Sequence, residues 1–298
     1  MSLVHSSGQD GRPLRVGEDD AAREQWLAGL APVIDDFARR WSLELGPPFR
    51  HSGSASWVAP TRTPGGDRVV LKLGWIHDEA LHEADGLRAW DGCGTVRLID
   101  SLAAGTTAAL LLEACEPGTQ LSQMLPEPEQ DLVIAGLLRR LWIQPAARYP
   151  FRPLAQMCER WAAEYEAASA AARARGGDQL DTGIARAGIE LFRELPATSD
   201  RAVLLCTDLH HDNVLAAERE PWLLIDPKPY IGDPAYDPLQ HMLNFPHRLA
   251  ADPAGFAARM AGLLDLDPER VRLWLFARCV QESAGEPALR DAAVKLAP

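Results

Sequence analysis

Cysteine is scarce and scattered: five of 298 residues, Cys93, Cys115, Cys158, Cys206 and Cys279, with no Cys-x-x-Cys pair. An odd, dispersed set fits neither a disulfide framework nor a zinc ribbon, and a reducing cytoplasm is the expected compartment. Long apolar runs are also missing. No stretch approaches the roughly 18 uncharged apolar residues a membrane helix needs, and Met1 to Arg15 lacks the apolar core of a secretory signal. Positive charge is in deficit, with 30 Lys+Arg against 42 Asp+Glu and a formal net charge of −12. That balance argues against nucleic-acid partners, which require a basic face to displace counterions. It suits a cationic small-molecule substrate. Internal repeats, low-complexity tracts and a Gly-x-Gly-x-x-Gly loop are absent as well.

What is present is globular: 47% apolar and 24% charged residues over a length that suits one large domain or two modest ones. Residues to about Gly17 read as a tail. An amphipathic helix is expected from Glu18, with Trp26, Leu30, Val33, Phe37 and Trp41 at three- or four-residue steps. Strands follow at Ser56–Ala59 and Arg68–Leu73, joined by hairpin chemistry at Thr63-Pro64-Gly65-Gly66-Asp67. A helix from about His77 to Trp90 and strands near Val96–Ile99 and Ala108–Leu112 come next. Helical periodicity then dominates, in Leu132–Leu141, Leu154–Ala172, Gly183–Leu195 and beyond Pro238. Short strand-like pieces lie between Val203 and Ile225. The expected division is a tail at 1–17, a β-rich lobe at 18–113 and a mostly helical lobe at 114–298, with a ligand in the cleft between the lobes.

The chemistry concentrates in Asp208-Leu209-His210-His211-Asp212-Asn213, followed by Asp226 at the end of the apolar run Trp222–Ile225. Asp208 and Asn213 keep the Asp-Leu-x-x-x-Asn spacing of a protein-kinase-like catalytic loop. In such a loop the Asp accepts the proton of the substrate hydroxyl and the Asn side chain reaches a metal ion. A carboxylate at a strand end, as at Asp226, can hold Mg²⁺ against nucleotide phosphates. Lys72 ends Val69-Val70-Leu71-Lys72, the strand-borne position of the phosphate-binding lysine. Glu79 and Glu83 are both available to pair with it, and the apolar register of the following helix favours Glu83.

The segment from Asp208 to Asp237 resembles the small-molecule kinases of the aminoglycoside phosphotransferase family, most closely the streptomycin 6-phosphotransferase and hydroxyurea phosphotransferase branch. The likeness extends through Ser56–Pro60, Val70–Lys72, His82–Ala84, Trp90–Gly94 and Leu111–Glu113. It implies an α+β, bilobal protein-kinase-like fold. It also implies ATP with Mg²⁺, and transfer of the γ-phosphate to a hydroxyl of a small molecule. Carried onto this chain, Lys72 would bind the α/β-phosphates and Glu83 would orient it. Asp208 would be the catalytic base, and Asn213 and Asp226 the metal ligands. Gly53, Ser54 and Ser56 would belong to the turn that covers the phosphates, which runs to Trp57. Leu112, Glu113 and Ala114 would form the hinge facing adenine. The late helix Leu273–Ser283 would contribute to the acceptor site, with Glu282 the first carboxylate to consider for a cation. The chain departs from the family at Cys206-Thr207, where His-Gly is usual, and at Asp226-Pro227-Lys228, which has no switch Phe.

Other readings compete. His210 and His211 beside Asp208 and Asp212 could suggest a metal hydrolase, but no second His/Asp cluster accompanies them, and His210 reads better as a loop-shaping hydrogen-bonder. Asp233, before Pro234, reads as a helix cap, and Asp237 as an anchor of the catalytic loop. The nine Trp read as core, with only Trp57 a candidate for approaching the nucleotide. A nucleotide-binding pseudokinase would be expected to lack Asp208, Asn213, Asp226 or Lys72, and all four are present. A metabolic sugar or amino-alcohol kinase would share the same core.

Overall fold

The computed structural model describes residues 18–49, 55–77, 80–176 and 180–298. The chain enters through helices α1 (Glu18–Ala28) and α2 (Leu30–Arg40), where one continuous helix is expected from the apolar spacing. Pro32 explains the break: it has no N–H for the carbonyl of Ala28, and its ring excludes an unbroken turn there. The apolar positions still share one face, and Trp26, Leu30 and Phe37 are buried.

Five antiparallel strands follow: β1 (Glu44–Leu45), β2 (Ser56–Arg62), β3 (Arg68–Trp75), then β4 (Leu98–Ala104) and β5 (Thr107–Glu113) after helix α3 (Glu83–Trp90). Their order is β1-β2-β3-β5-β4. Strand alternation sorts the residues. Ala59, Leu71, Leu73 and Ala109 face α1 and α2, and Trp26 donates its indole N–H to Thr107 Oγ1 at 2.8 Å. Val70, Leu110 and Leu112 face the other way, toward Leu87 of α3 and Leu223. Lys72 lies on that second face.

Helix α3 begins at Glu83 rather than near His77, and ahead of it Ala80 N–H bonds to His77 O at 3.0 Å. The strand expected at Val96 begins at Leu98 instead, since Thr95 and Val96 pair elsewhere. Val96 N–H bonds to Leu224 O at 3.0 Å, and Leu224 N–H bonds to Gly94 O at 2.9 Å. Those bonds stitch the sheet to the other lobe.

The helical lobe comprises α4 (Leu121–Met124), α5 (Glu127–Leu141), α6 (Leu154–Ala174) and α7 (Thr182–Glu194), then α8 (Leu239–Leu243), α9 (Pro246–Ala251), α10 (Pro253–Leu264), α11 (Pro268–Glu282) and α12 (Ala288–Leu296). Between α7 and α8 lie two small hairpin-like pairs: β6 (Val203–Leu205) with β9 (Tyr230–Gly232), and β7 (Val214–Ala216) with β8 (Trp222–Leu224). β9 is too short for any periodic signal. Helix α11 runs through the lobe's centre, with every residue from Trp274 to Glu282 buried. Gly188 of α7 admits the close crossing, since a Cβ there would lie 2.4 Å from Val280 Cγ2.

One buried charge ties four helices together. Asp131 of α5, fully buried, accepts hydrogen bonds from His241 Nε2 (2.9 Å), both terminal nitrogens of Arg248 (2.9 Å each) and Arg259 Nε (2.7 Å). Burial opposes its charge, but these partners outweigh burial and hold its pKa well below the ordinary aspartate value. A depressed carboxylate pKa stabilises above the unfolded pKa and stops doing so as pH falls. Asp131→Ala should therefore cost about 3–5 kcal/mol at neutral pH, by leaving arginines uncompensated. In denaturant unfolding, the gap from wild type should begin to narrow below about pH 4, where the carboxylate of the unfolded chain takes up its proton, and close only at the much lower pH at which the native carboxylate protonates.

Candidate active site

The lobes meet over a cluster of charges drawn from four segments. Lys72, 7% exposed on β3, donates from Nζ to both carboxylate oxygens of Glu83 at 2.8 Å. Its Nζ also pairs with Asp226 Oδ1. Burial disfavours the ammonium, yet Asp226 and Glu83 outweigh it and keep Lys72 above the ordinary lysine pKa. Burial pushes Glu83 upward against the pull of Lys72, whereas Lys72 and Lys228 hold Asp226 down despite its burial. Asp226 follows β8 at φ +56°, a left-handed conformation that few non-glycine residues adopt. Ile225 N–H fixes the turn on Asn213 O at 2.9 Å.

The segment from Asp208 to Asn213 is pinned from beneath by Asp237. Its carboxylate accepts from Trp142 Nε1 (3.0 Å), Cys206 N–H (3.3 Å) and Thr207 N–H (2.8 Å). Burial pushes the carboxyl up to about 6, and these donors work in the opposite direction. Thr207 has φ +48°. This is the position where the resembled family has Gly, which adopts such a φ freely. Thr207 is held there by its N–H and by its hydroxyl, which donates to Lys228 O at 2.6 Å.

Asp208 is 3% exposed and sits at the loop's focus. Asn213 Nδ2 donates to Asp208 O at 3.1 Å, and Lys228 Nζ lies 3.1 Å from Asp208 Oδ2. His210 shapes the loop: its Nδ1 accepts from Asp212 N–H at 3.4 Å. Its buried Nε2 lacks a hydrogen-bond partner and lies 3.9 Å from Asp208 Oδ1. Burial lowers its pKa to about 4, so the ring is neutral at pH 7. Among the described residues no three His, Cys, Asp or Glu side chains converge as a metal site. Asp226 and the amide oxygen of Asn213 are hard donors of the kind Mg²⁺ takes in ones and twos, with water and phosphate completing its shell.

Lys72, Glu83, Asp208, Asn213 and Asp226 thus come together. Gly53, Ser54 and Glu79 lie outside the described residues. Ser56 opens β2 opposite Gly74, on the face that carries Lys72. Trp57 does not reach this site: strand alternation turns it to the opposite face, where it packs on the α1–α2 cluster. The Glu113 carboxylate accepts from Arg219 Nε (2.7 Å) and Nη2 (2.9 Å), and the Glu113 N–H bonds to Arg97 O at 2.9 Å. Arg219 also reaches the carbonyls of Gly92 and Thr95, both at 2.8 Å, so it clamps the lobes beside the end of β5. Ala114 follows, half-buried. Glu282 is buried and paired with Arg278, whose guanidinium lies 4.4 Å from the Trp161 ring centroid. It is therefore not a free cleft carboxylate. Asp233 caps the turn at Pro234 through Ala235 N–H (3.0 Å) and also accepts from Arg270 and Trp274, both at 2.6 Å. Lys228 and Arg219 are the residues that motif spacing did not mark, although Lys228 lies two positions after Asp226.

A small sheet lobe over a helical lobe, with this constellation between them, defines a kinase of the protein-kinase-like class. Among solved structures, ethanolamine kinase from Plasmodium vivax shares the fold, with TM-score 0.59 at 11% identity over 97% of this chain and 93% of that one. Residues 40–288 match the family described as aminoglycoside/hydroxyurea antibiotic resistance kinase, and the chain belongs to that family. It is 36% identical to hydroxyurea phosphotransferase of Kitasatospora aureofaciens over 93% of this chain and 80% of that protein. It is 34% identical to streptomycin 6-kinase of Streptomyces griseus, over 100% and 91% respectively. The chain is accordingly a phosphotransferase that uses a nucleotide.

Helix α3 must approach the Asp226 turn closely for Glu83 to reach Lys72. A Cβ at Gly86 would lie 2.6 Å from Pro229 Cγ and 2.8 Å from Trp90 Cζ3, and neither ring can swing aside. Gly86→Ala should destabilise by about 1–3 kcal/mol, as overpacking does. By contrast, Gly136→Ala, at an exposed position of α5 where an added Cβ meets no neighbouring atom within 4 Å, should stabilise by about 0.4–1 kcal/mol. Paired denaturant titrations check both.

Proposed function

We propose that the chain transfers the γ-phosphate of ATP, as its Mg²⁺ complex, to a hydroxyl of a small antibiotic, with a cationic aminoglycoside such as streptomycin the leading acceptor. The observation that carries this is the convergence of Lys72, Glu83, Asp208, Asn213 and Asp226 in a chain similar over nearly its whole length to a streptomycin 6-kinase. Hydroxyurea is the second candidate, on the similarity to its phosphotransferase. The cytoplasm, where ATP is held, is the proposed compartment. The proposed division places the hinge at the 113/114 junction, where β5 ends.

In this account Asp208 accepts the proton of the acceptor hydroxyl. The hydroxyl oxygen bonds to the γ-phosphorus, and the bond from that phosphorus to the β–γ bridging oxygen breaks, releasing ADP. Lys72, held by Glu83, supplies positive charge toward the α/β-phosphates. Asp226 and Asn213 would hold Mg²⁺, whose chemistry is charge neutralisation on the phosphates. Ser56 and the preceding turn would cover the phosphates, with backbone at Glu113 and Ala114 facing adenine. Little covalent work falls to the protein. Position and compensating charge provide the rate.

Incubation with ATP and Mg²⁺ across streptomycin, other aminoglycosides, hydroxyurea and sugars, followed by mass spectrometry, tests the acceptor. A phosphoryl mass gain on streptomycin is expected. Robust turnover only on an uncharged sugar would leave the kinase assignment standing and remove the resistance reading. Asp208→Ala should lower kcat by about 10²–10⁴-fold, the usual weight of a general base, with ATP affinity near wild type. Turnover within a few-fold of wild type would contradict the role.

A further inference from the structure

We propose that Lys228 is a second phosphate-facing cation of the transfer step, orienting Asp208 and compensating charge on the phosphoryl group in flight; this rests on the kinase reading above. The backbone of Lys228 is fixed on both sides to the two residues before Asp208. Its N–H donates to Cys206 O at 2.8 Å, and its carbonyl accepts from Thr207 Oγ1 at 2.6 Å. The side chain, 14% exposed, then extends along the loop to place Nζ 3.1 Å from Asp208 Oδ2.

Two features give that position chemical weight. Between Asp208 and Asn213 the sequence offers no Lys or Arg, only His210 and His211, and His210 is buried and neutral at pH 7. The loop therefore carries no fixed cation of its own, and Lys228 supplies one from the neighbouring turn. Lys72 cannot serve both purposes, because Glu83 and Asp226 hold it on the sheet side of the cleft. Lys228 acts electrostatically on both Glu83 and Asp226, which places its charge inside the same cluster.

In the transfer, the hydroxyl oxygen bonds to the γ-phosphorus as the bond to the ADP oxygen breaks, and the hydroxyl proton passes to Asp208. Charge spreads over the equatorial oxygens of the loose transition state, and a preorganised ammonium at the base stabilises it more than it stabilises bound ADP.

A lysine that merely props up the loop and one that faces the phosphoryl group differ in a measurable way. The affinity of MgADP, alone and with aluminium fluoride as a mimic of the transferring group, is measured by calorimetry for wild type, Lys228→Met and Lys228→Arg. In Lys228→Met, MgADP affinity should stay within about three-fold of wild type, while the tightening caused by aluminium fluoride drops about tenfold or more. Lys228→Arg should recover most of that tightening. Should Lys228→Met fail to fold, Lys228→Gln carries the same prediction. Unchanged tightening in the neutral variant, or an equal loss of MgADP affinity, overturns the proposal. Absence of tightening in wild type would overturn the kinase reading with it.

Discussion

The structure turns on one buried ammonium. Lys72 lies between Glu83 on α3 and Asp226 after β8, so a single side chain joins the sheet, helix α3 and the helical lobe. Buried ion pairs of this kind are poor sources of stability, because desolvation cancels much of the attraction. Under the proposed function their retention is explained by use: the two carboxylates would hold a cation where phosphate binds, and one of them, Asp226, is of the type that binds a divalent metal. Much of the surrounding architecture serves to hold those three groups at contact distance. Gly86 lets α3 meet Pro229, Leu224 pairs with the strand-like segment at Thr95–Val96, and Arg219 clamps Glu113 to the carbonyls of Gly92 and Thr95.

A second layer of constraint supports the loop. Thr207 holds a left-handed backbone conformation that a β-branched residue disfavours, and it persists because Asp237 takes its N–H and Lys228 takes its hydroxyl. Asp237 is itself buried, held by Trp142 and the Cys206 N–H. The strain therefore sits directly before Asp208, the proposed base, whose carboxylate that role requires to be fixed. The usual family Gly is replaced here by Thr without loss of the conformation, because a hydrogen bond substitutes for conformational freedom.

Much of this arrangement was legible in the sequence, for identifiable reasons. Chemistry that depends on order and spacing could be read: Lys72 at a strand end, Glu83 in the apolar register of the next helix, Asp208 and Asn213 five apart, Asp226 after an apolar strand. Asp233 and Asp237 were also readable in role, one as a cap and one as an anchor. Features that depend on tertiary pairing could not be read. Val96 looks like a strand residue but pairs across the lobes, Trp57 faces the core through strand parity, and Glu282 is neutralised by Arg278 one helical turn earlier. Lys228 stands outside the motif spacing, and only its return to Asp208 marks it.

The central claim is that the cluster around Lys72 is a site for nucleotide phosphates and a metal. Calorimetric titration of wild type and Asp226→Ala with ATP, with and without Mg²⁺, addresses it most directly. The account predicts Mg²⁺-dependent binding in wild type and loss of that dependence in the variant. Equal affinity and equal metal dependence in both proteins would contradict it.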